Sequence, residues 1–183
     1  MIDENQLIER FLSLGAYRAG ALDVEQIPLD PMLRSYCEAN ICGSYGRNYA
    51  CPPSVGEAET LIARVREYDR ILLFQTVSTL EDSFDWEGMQ AAAERHAAVC
   101  ESIRSQAESV LGEALYLTAG GCTLCPECAK VREEPCRFPD RAVSSLEAYC
   151  INVSSLAPRC GMKYINGADT VTYFGAFLYH TTV

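Results

Sequence analysis

Apolar residues recur along the 183-residue chain with two different periods. Ile2, Leu7, Ile8, Phe11, Leu12 and Leu14 fall at helical spacing and predict a helix over residues 2–14. Leu61, Ile62, Val65 and Tyr68 predict a second over residues 57–68. The longest helical pattern runs from Gly88 to Leu111 through Met89, Ala92, Ala93, His96, Cys100, Ile103, Ala107 and Val110, with Gly112 as its stop. Strand patterns lie between these. Residues 17–27 read as a strand weakened by Gly20, and ILLFQTV at 71–77 is a continuous branched run of the kind covered on both faces. Residues 114–118 form a short strand, and TVTYFGAFLYH at 170–180 carries the strongest strand signal. Ser144 or Ser145 can cap a short helix over residues 146–150, with Glu147 placed for a capping box.

Strands alternating with helices predict an α/β (or α+β) fold: a small mixed or largely parallel sheet of about four strands with packed helices. A single domain over 1–183 is expected, with no internal repeat and no low-complexity linker. Residues 36–53 and 119–140 fit neither period. Both are rich in cysteine, and they should be structured loops at the edges of the sheet.

Composition narrows the classes. The chain is 49% hydrophobic and 22% charged, enough to bury a core. A net charge of −10 and a pI near 4.7 disfavour nucleic acid as a partner, because phosphate backbones repel such a surface. No apolar run approaches the ~20 residues of a membrane span. The start MIDENQLIERFLSLG is acidic and amphipathic, unlike the basic start of a secretory signal, so the cytoplasm is the expected compartment. In that reducing setting the ten cysteines read as metal ligands more readily than as disulfides.

Cys122, Cys125 and Cys128 are spaced as in [4Fe–4S] sites. A cubane offers irons at separate corners, so three close thiolates on a curling loop can each take a different one. A lone zinc ion prefers a tetrahedral set, commonly two separated Cys-x2-Cys pairs, and remains the alternative. Gly120 and Gly121 let the backbone approach. Cys136 is the preferred fourth ligand, and Cys51, followed by Pro52, is the long-range alternative. Cys37, Cys42 and Cys51 form a second group in a Gly-, Asn- and Tyr-rich segment, expected to converge on their own site, with a second cluster possible there. Cys100 lies four residues after His96 on the longest helix; a core thiol beside a hydrogen-bonded histidine is the expected reading, and a shared metal the rival. Cys150 and Cys160 read as core or incidental. HExxH, GxGxxG after a strand, the Walker loop and GxSxG are all missing, and His96 and His180 are the only histidines.

The segments CEANICGSYGRNYACPP, FQTVSTLEDSFDWEGMQ, GGCTLCPECAKVREEPCRFP, SSLEAYCINV and MKYINGADTVTYFG resemble the DUF2284 family of predicted metal-binding proteins, from about Tyr36 to the C-terminus. The resemblance implies metal binding, with iron–sulfur favoured, in cytoplasmic proteins common in anaerobes. It implies ligand positions at Cys37, Cys42, Cys51, Cys122, Cys125, Cys128 and Cys136, and leaves Cys100, Cys150 and Cys160 outside the pattern. The expected role is redox: a cluster passes electrons to or from a partner protein while Lys130, Arg132 and Arg137 tune its potential. The alternatives are a zinc-binding structural or metal-handling module, and an enzyme whose incompletely ligated cluster binds substrate.

Overall fold

The computed structural model describes residues 3–181. Helix α1 (Glu4–Ser13) leads into strand β1 (Arg18–Asp23), and α2 (Leu33–Glu38) and α3 (Ala58–Val65) flank the first cysteine segment. Strand β2 (Arg70–Thr79) is followed by α4 (Trp86–Leu111) and β3 (Ala114–Thr118). After the second cysteine segment come β4 (Ser144–Ser145), α5 (Val153–Arg159) and β5 (Thr170–Tyr179). Ile2, which the apolar pattern assigns to the first helix, lies outside the described residues. Asp3 caps that helix, its carboxylate accepting from the Gln6 amide at 3.1 Å.

The sheet has five strands in the order β1-β2-β5-β3-β4. It is mixed rather than largely parallel: β1, β2, β5 and β3 pair antiparallel, and only β3–β4 is parallel. The two neighbours of β2 come from distant segments, so pairing direction is not written in local periodicity. The fifth strand, β4, has just two residues and carries no alternation to detect. The capped helix expected over 146–150 is a single 3-10 turn, Glu147–Tyr149. Ser145 rather than Ser144 serves it, its hydroxyl accepting from the Ala148 amide at 3.1 Å. Helix α5 has no counterpart among the expected elements, since Pro158 interrupts its pattern.

The β2 run is buried on both faces, as its continuous apolar sequence requires. Ile71 and Leu73 face one core with Leu117, Ala176 and Leu178, closed by Leu61 and Val65 of α3 and Leu156 of α5. Leu72 and Phe74 face the other with Phe177, closed by Phe11 of α1 and Ile103 and Ala107 of α4. Along α4 the buried stripe is Ala92, His96, Cys100, Ile103, Ala107 and Leu111, while Ala93 and Val110 from the expected face are exposed. Gly20 is explained by crowding: a Cβ there would meet the Cys160 carbonyl oxygen of the α5 terminus. Arg70 ties α1 to the sheet through a two-pronged pair with Glu4, Nε–Oε1 and Nη2–Oε2 both 2.7 Å.

Phe11 is fully buried, its ring 5.6 Å from that of Phe74 and 5.8 Å from that of Phe177. Phe11→Ala should lower stability by about 3–5 kcal/mol, whereas Leu12→Ala, on the exposed side, should cost under about 0.5 kcal/mol. Urea unfolding of the two variants checks this; equal midpoints would show that α1 does not close the core.

Candidate metal centre

The first cysteine segment is held at its start by α2. Arg34 donates to the Ala148 carbonyl at 3.2 Å and the Gly56 carbonyl at 2.9 Å, pinning this short helix against the 147–149 turn. Cys37 sits in α2, half-buried, and Cys42 is exposed in the turns beyond it. Asn40, Gly43 and Gly46 take positive φ there, which is why the segment offers no helix or strand pattern.

The second segment leaves the end of β3 and folds back over the first. Asn48, nearly buried, donates from its amide to the Cys122 carbonyl at 2.9 Å and accepts from the Ala50 amide at 3.0 Å. Tyr49 donates its hydroxyl to the Glu134 carbonyl at 2.8 Å, and the Lys130 ammonium lies 5.6 Å from its ring centroid. At Gly121 a Cβ would sit 3.1 Å from the Cys51 sulfur and 3.3 Å from the Asn48 amide nitrogen. A side chain there would push Cys51 or Asn48 back by a few tenths of an ångström, so the glycine keeps the loops this close.

Cys122, Cys125, Cys128 and Cys136 line one narrow hollow of about 20 Å3, together with Asn48, Tyr49 and Phe138. On its other side Cys122, Cys125 and Cys128 also line an open basin of about 540 Å3, whose far wall is Gly43, Ser44 and Arg47 of the first segment. Three cysteines thus line both spaces, and Cys136 lines the narrow hollow. Cys51 lies at the junction. Burial pushes its thiol up to about 11, and the neighbouring sulfurs of Cys42 and Cys37 on one side and Cys122 and Cys128 on the other add to the effect. Cys37 is raised by burial, partly offset by Arg34. Among the described residues no three His, Cys, Asp or Glu side chains already form a compact group for a single metal ion.

Of the three basic residues expected to tune the site, Arg137 lies close enough to Cys125 for its charge to be felt there, and it donates to the Glu127 carbonyl at 3.1 Å. Lys130 is over Tyr49, and Arg132 pairs with Glu127 at 3.1 Å. Asn48, Tyr49 and Gly121 carry no distinct mark in the sequence as parts of the site. Their signal is adjacency to cysteine within a turn-rich stretch, which does not say what the side chains will touch.

The remaining cysteines stand apart from the loops or under them. Cys150 is fully buried, next to Arg34 and Cys37, and Cys160 ends α5 with its thiol pushed up to about 12 by burial. Cys100 lies in the helix core, its sulfur 3.3 Å from His96 Nε2. His96 is hydrogen-bonded on both ring nitrogens, to Thr76 at 2.8 Å and Thr118 at 3.2 Å. That is the arrangement of a satisfied core histidine.

Fold and loops together define a class: an α/β protein that presents two interlocked cysteine-rich loops at one end of a mixed sheet. The sequence profile of the DUF2284 family, described as "Predicted metal-binding protein (DUF2284)", matches residues 20–179, and the chain belongs to that family. No curated protein and no solved structure matches the chain.

Burial holds the His96 imidazole near 4, against an ordinary 6.5. The unfolded chain therefore binds a proton that the folded protein refuses between those values. Stability should be complete above about pH 6.5 and fall, by at most about 3 kcal/mol from this group, as pH drops toward 4. Denaturant unfolding at pH 7.5, 6 and 5 should show that slope, and it should flatten in His96→Gln.

Proposed function

We propose that the protein is a cytoplasmic iron–sulfur protein in which Cys122, Cys125, Cys128 and Cys136 hold a [4Fe–4S] cluster used in electron transfer. The observation that carries this reading is that all four cysteines line one hollow and that three of them also line the open basin of about 540 Å3 between the loops. A lone zinc ion would draw four sulfurs to within about 3.8 Å of one another, given Zn–S bonds of ~2.3 Å. A cubane takes them further apart, one per iron, and suits cysteines that border the open basin between the loops without forming a compact group for a single ion. The cluster, when bound, supplies one-electron chemistry. The chain's residues do the rest: Arg137 places positive charge beside Cys125, and Asn48 fixes the Cys122 backbone.

Cys51 reaches toward the same site from the first loop, which makes it the competitor of Cys136 for the fourth corner. Cys37 and Cys42 flank it and would hold any second metal. The surface around the loops fits transient docking of a redox partner. Met32, Tyr36 and Ile41 are 70%, 70% and 88% exposed beside the first group, and Leu124 and Val131 border the second.

Anaerobically purified protein should be brown and contain iron and acid-labile sulfide. Cys122→Ser or Cys128→Ser should remove most of both, while Cys100→Ala and Cys160→Ser should leave them intact. Colourless protein with stoichiometric zinc and no sulfide would overturn the reading. Retention of the full cluster in Cys136→Ser but not in Cys51→Ser would move the fourth corner to Cys51.

A further inference from the structure

Outside the cysteine loops, three donor side chains meet on the wall of a cavity of about 260 Å3 between α4, the end of β3 and the second loop. His96 and Cys100 stand one turn apart on the buried stripe of α4, and Thr118 is the last residue of β3. Cys100 Sγ lies 3.3 Å from His96 Nε2 and 3.6 Å from Thr118 Oγ1, and Nε2 lies 3.2 Å from that oxygen. All three residues line the cavity. As hydrogen bonds these contacts are ordinary. As a triangle they have the dimensions of one face of a metal shell.

Zinc holds sulfur at ~2.3 Å and nitrogen or oxygen at ~2.0–2.2 Å. At tetrahedral angles such donors stand about 3.6 Å apart for sulfur with nitrogen or oxygen, and about 3.4 Å apart for nitrogen with oxygen. The sulfur–oxygen side of the triangle matches, and the two sides that meet at the imidazole are slightly short. A small outward movement of the ring would seat one ion against all three.

Two more groups support such a shell. His96 Nδ1 lies 2.8 Å from Thr76 Oγ1, and a proton kept on Nδ1 leaves the Nε2 lone pair directed at the triangle, the usual orientation of a ligand histidine. The Tyr116 hydroxyl is buried beside the Cys100 sulfur and has no hydrogen-bond partner among the described residues. A metal-bound thiolate keeps lone pairs that can accept from it. The local cations are engaged elsewhere: Arg104 pairs with Glu108 at 2.6 Å, and the Arg141 guanidinium lies 5.9 Å from the Phe138 ring centroid. Glu101 adds an exposed carboxylate to the same lining.

We infer that His96 Nε2, Cys100 Sγ and Thr118 Oγ1 bind one zinc ion, with Tyr116 donating to the bound sulfur and water in a fourth position open to the cavity. The thiol gives its proton to solvent as the ion enters, while the imidazole, which burial keeps neutral, is already in its ligand form. Three protein ligands and an open position are the pattern of a zinc ion that polarises a bound molecule, not of one that staples a fold. The site uses none of the loop cysteines and does not depend on the iron–sulfur reading.

Zinc K-edge X-ray absorption and metal counting test it, on the full chain prepared anaerobically with iron and sulfide, equilibrated with zinc and then freed of excess. About one zinc per chain should remain, with one sulfur at ~2.3 Å and the other donors at ~2.0–2.2 Å. With the loops holding iron, the wild-type spectrum decides by itself. If the loops hold zinc instead, the difference from Cys100→Ala isolates this site, because one zinc with a one-sulfur shell should be missing from that variant. Tyr116→Phe removes only an unpaired hydroxyl, so the urea midpoint should not fall, while zinc affinity should drop about 10–100-fold. No zinc beyond that of the loops, a shell made only of sulfur, equal zinc content and shell in Cys100→Ala, or full affinity in Tyr116→Phe would overturn the inference.

Discussion

The ten-residue ladder between β2 and β5 is the constraint on which the other elements depend. Every position from Arg70 to Thr79 is paired with one from Tyr179 to Thr170. Both strands are apolar enough that neither face can be left to water, so two separate layers of helix must be recruited. Packing is close where the ladder is tightest: Gly175 lies opposite Phe74, and any side chain there would run into the aromatic ring. Helices α1 and α4 close one side around the Phe11, Phe74 and Phe177 rings. The other side is closed by α3, α5 and the turn at 147–149.

That arrangement also decides where the chemistry sits. The chain leaves β3 beside the middle of β5, at Ala176, and runs directly into the second cysteine loop. The first loop is delivered to the same place by α2, which Arg34 fastens to the 147–149 turn. The loops then hold each other through Asn48, Tyr49 and the bare Cα of Gly121. Neither contains much regular structure, so their ladder of contacts is short. A metal bound between them would supply order that the backbone does not, and would have to displace the proton that burial keeps on Cys51.

The cavity of about 260 Å3 between α4, the end of β3 and the second cysteine loop shares Cys122 with the hollow within that loop. His96 and Cys100 lie on the cavity's α4 wall as a neutral pair, since burial lowers the one and raises the other. Their hydrogen bonds to Thr76 and Thr118 explain why a histidine occupies an otherwise apolar helix face.

Local pattern was sufficient for the elements that bury a stripe. Phe11, Val65, Ile103 and the 71–77 run each announced a face, because burial periodicity is a property of neighbours in sequence. The cysteine spacing likewise marked the second loop, since three thiolates spread over so short a stretch can reach one cluster whatever surrounds them. Other features needed partners from far along the chain. The antiparallel ladder of β2 and β5 joins distant segments, β4 is two serines that become a strand only beside β3, Gly20 has no room for a side chain because of Cys160, and Gly121 lies tight against Cys51. Above all, sequence left Cys51 between two readings, grouped with Cys37 and Cys42 or reaching the Cys122 loop, and the fold sets its sulfur close to both loops. The residues that could ligate were determined by the sequence alone. Which of them face one another was decided by long-range packing, because contact between two loops is a property of neither.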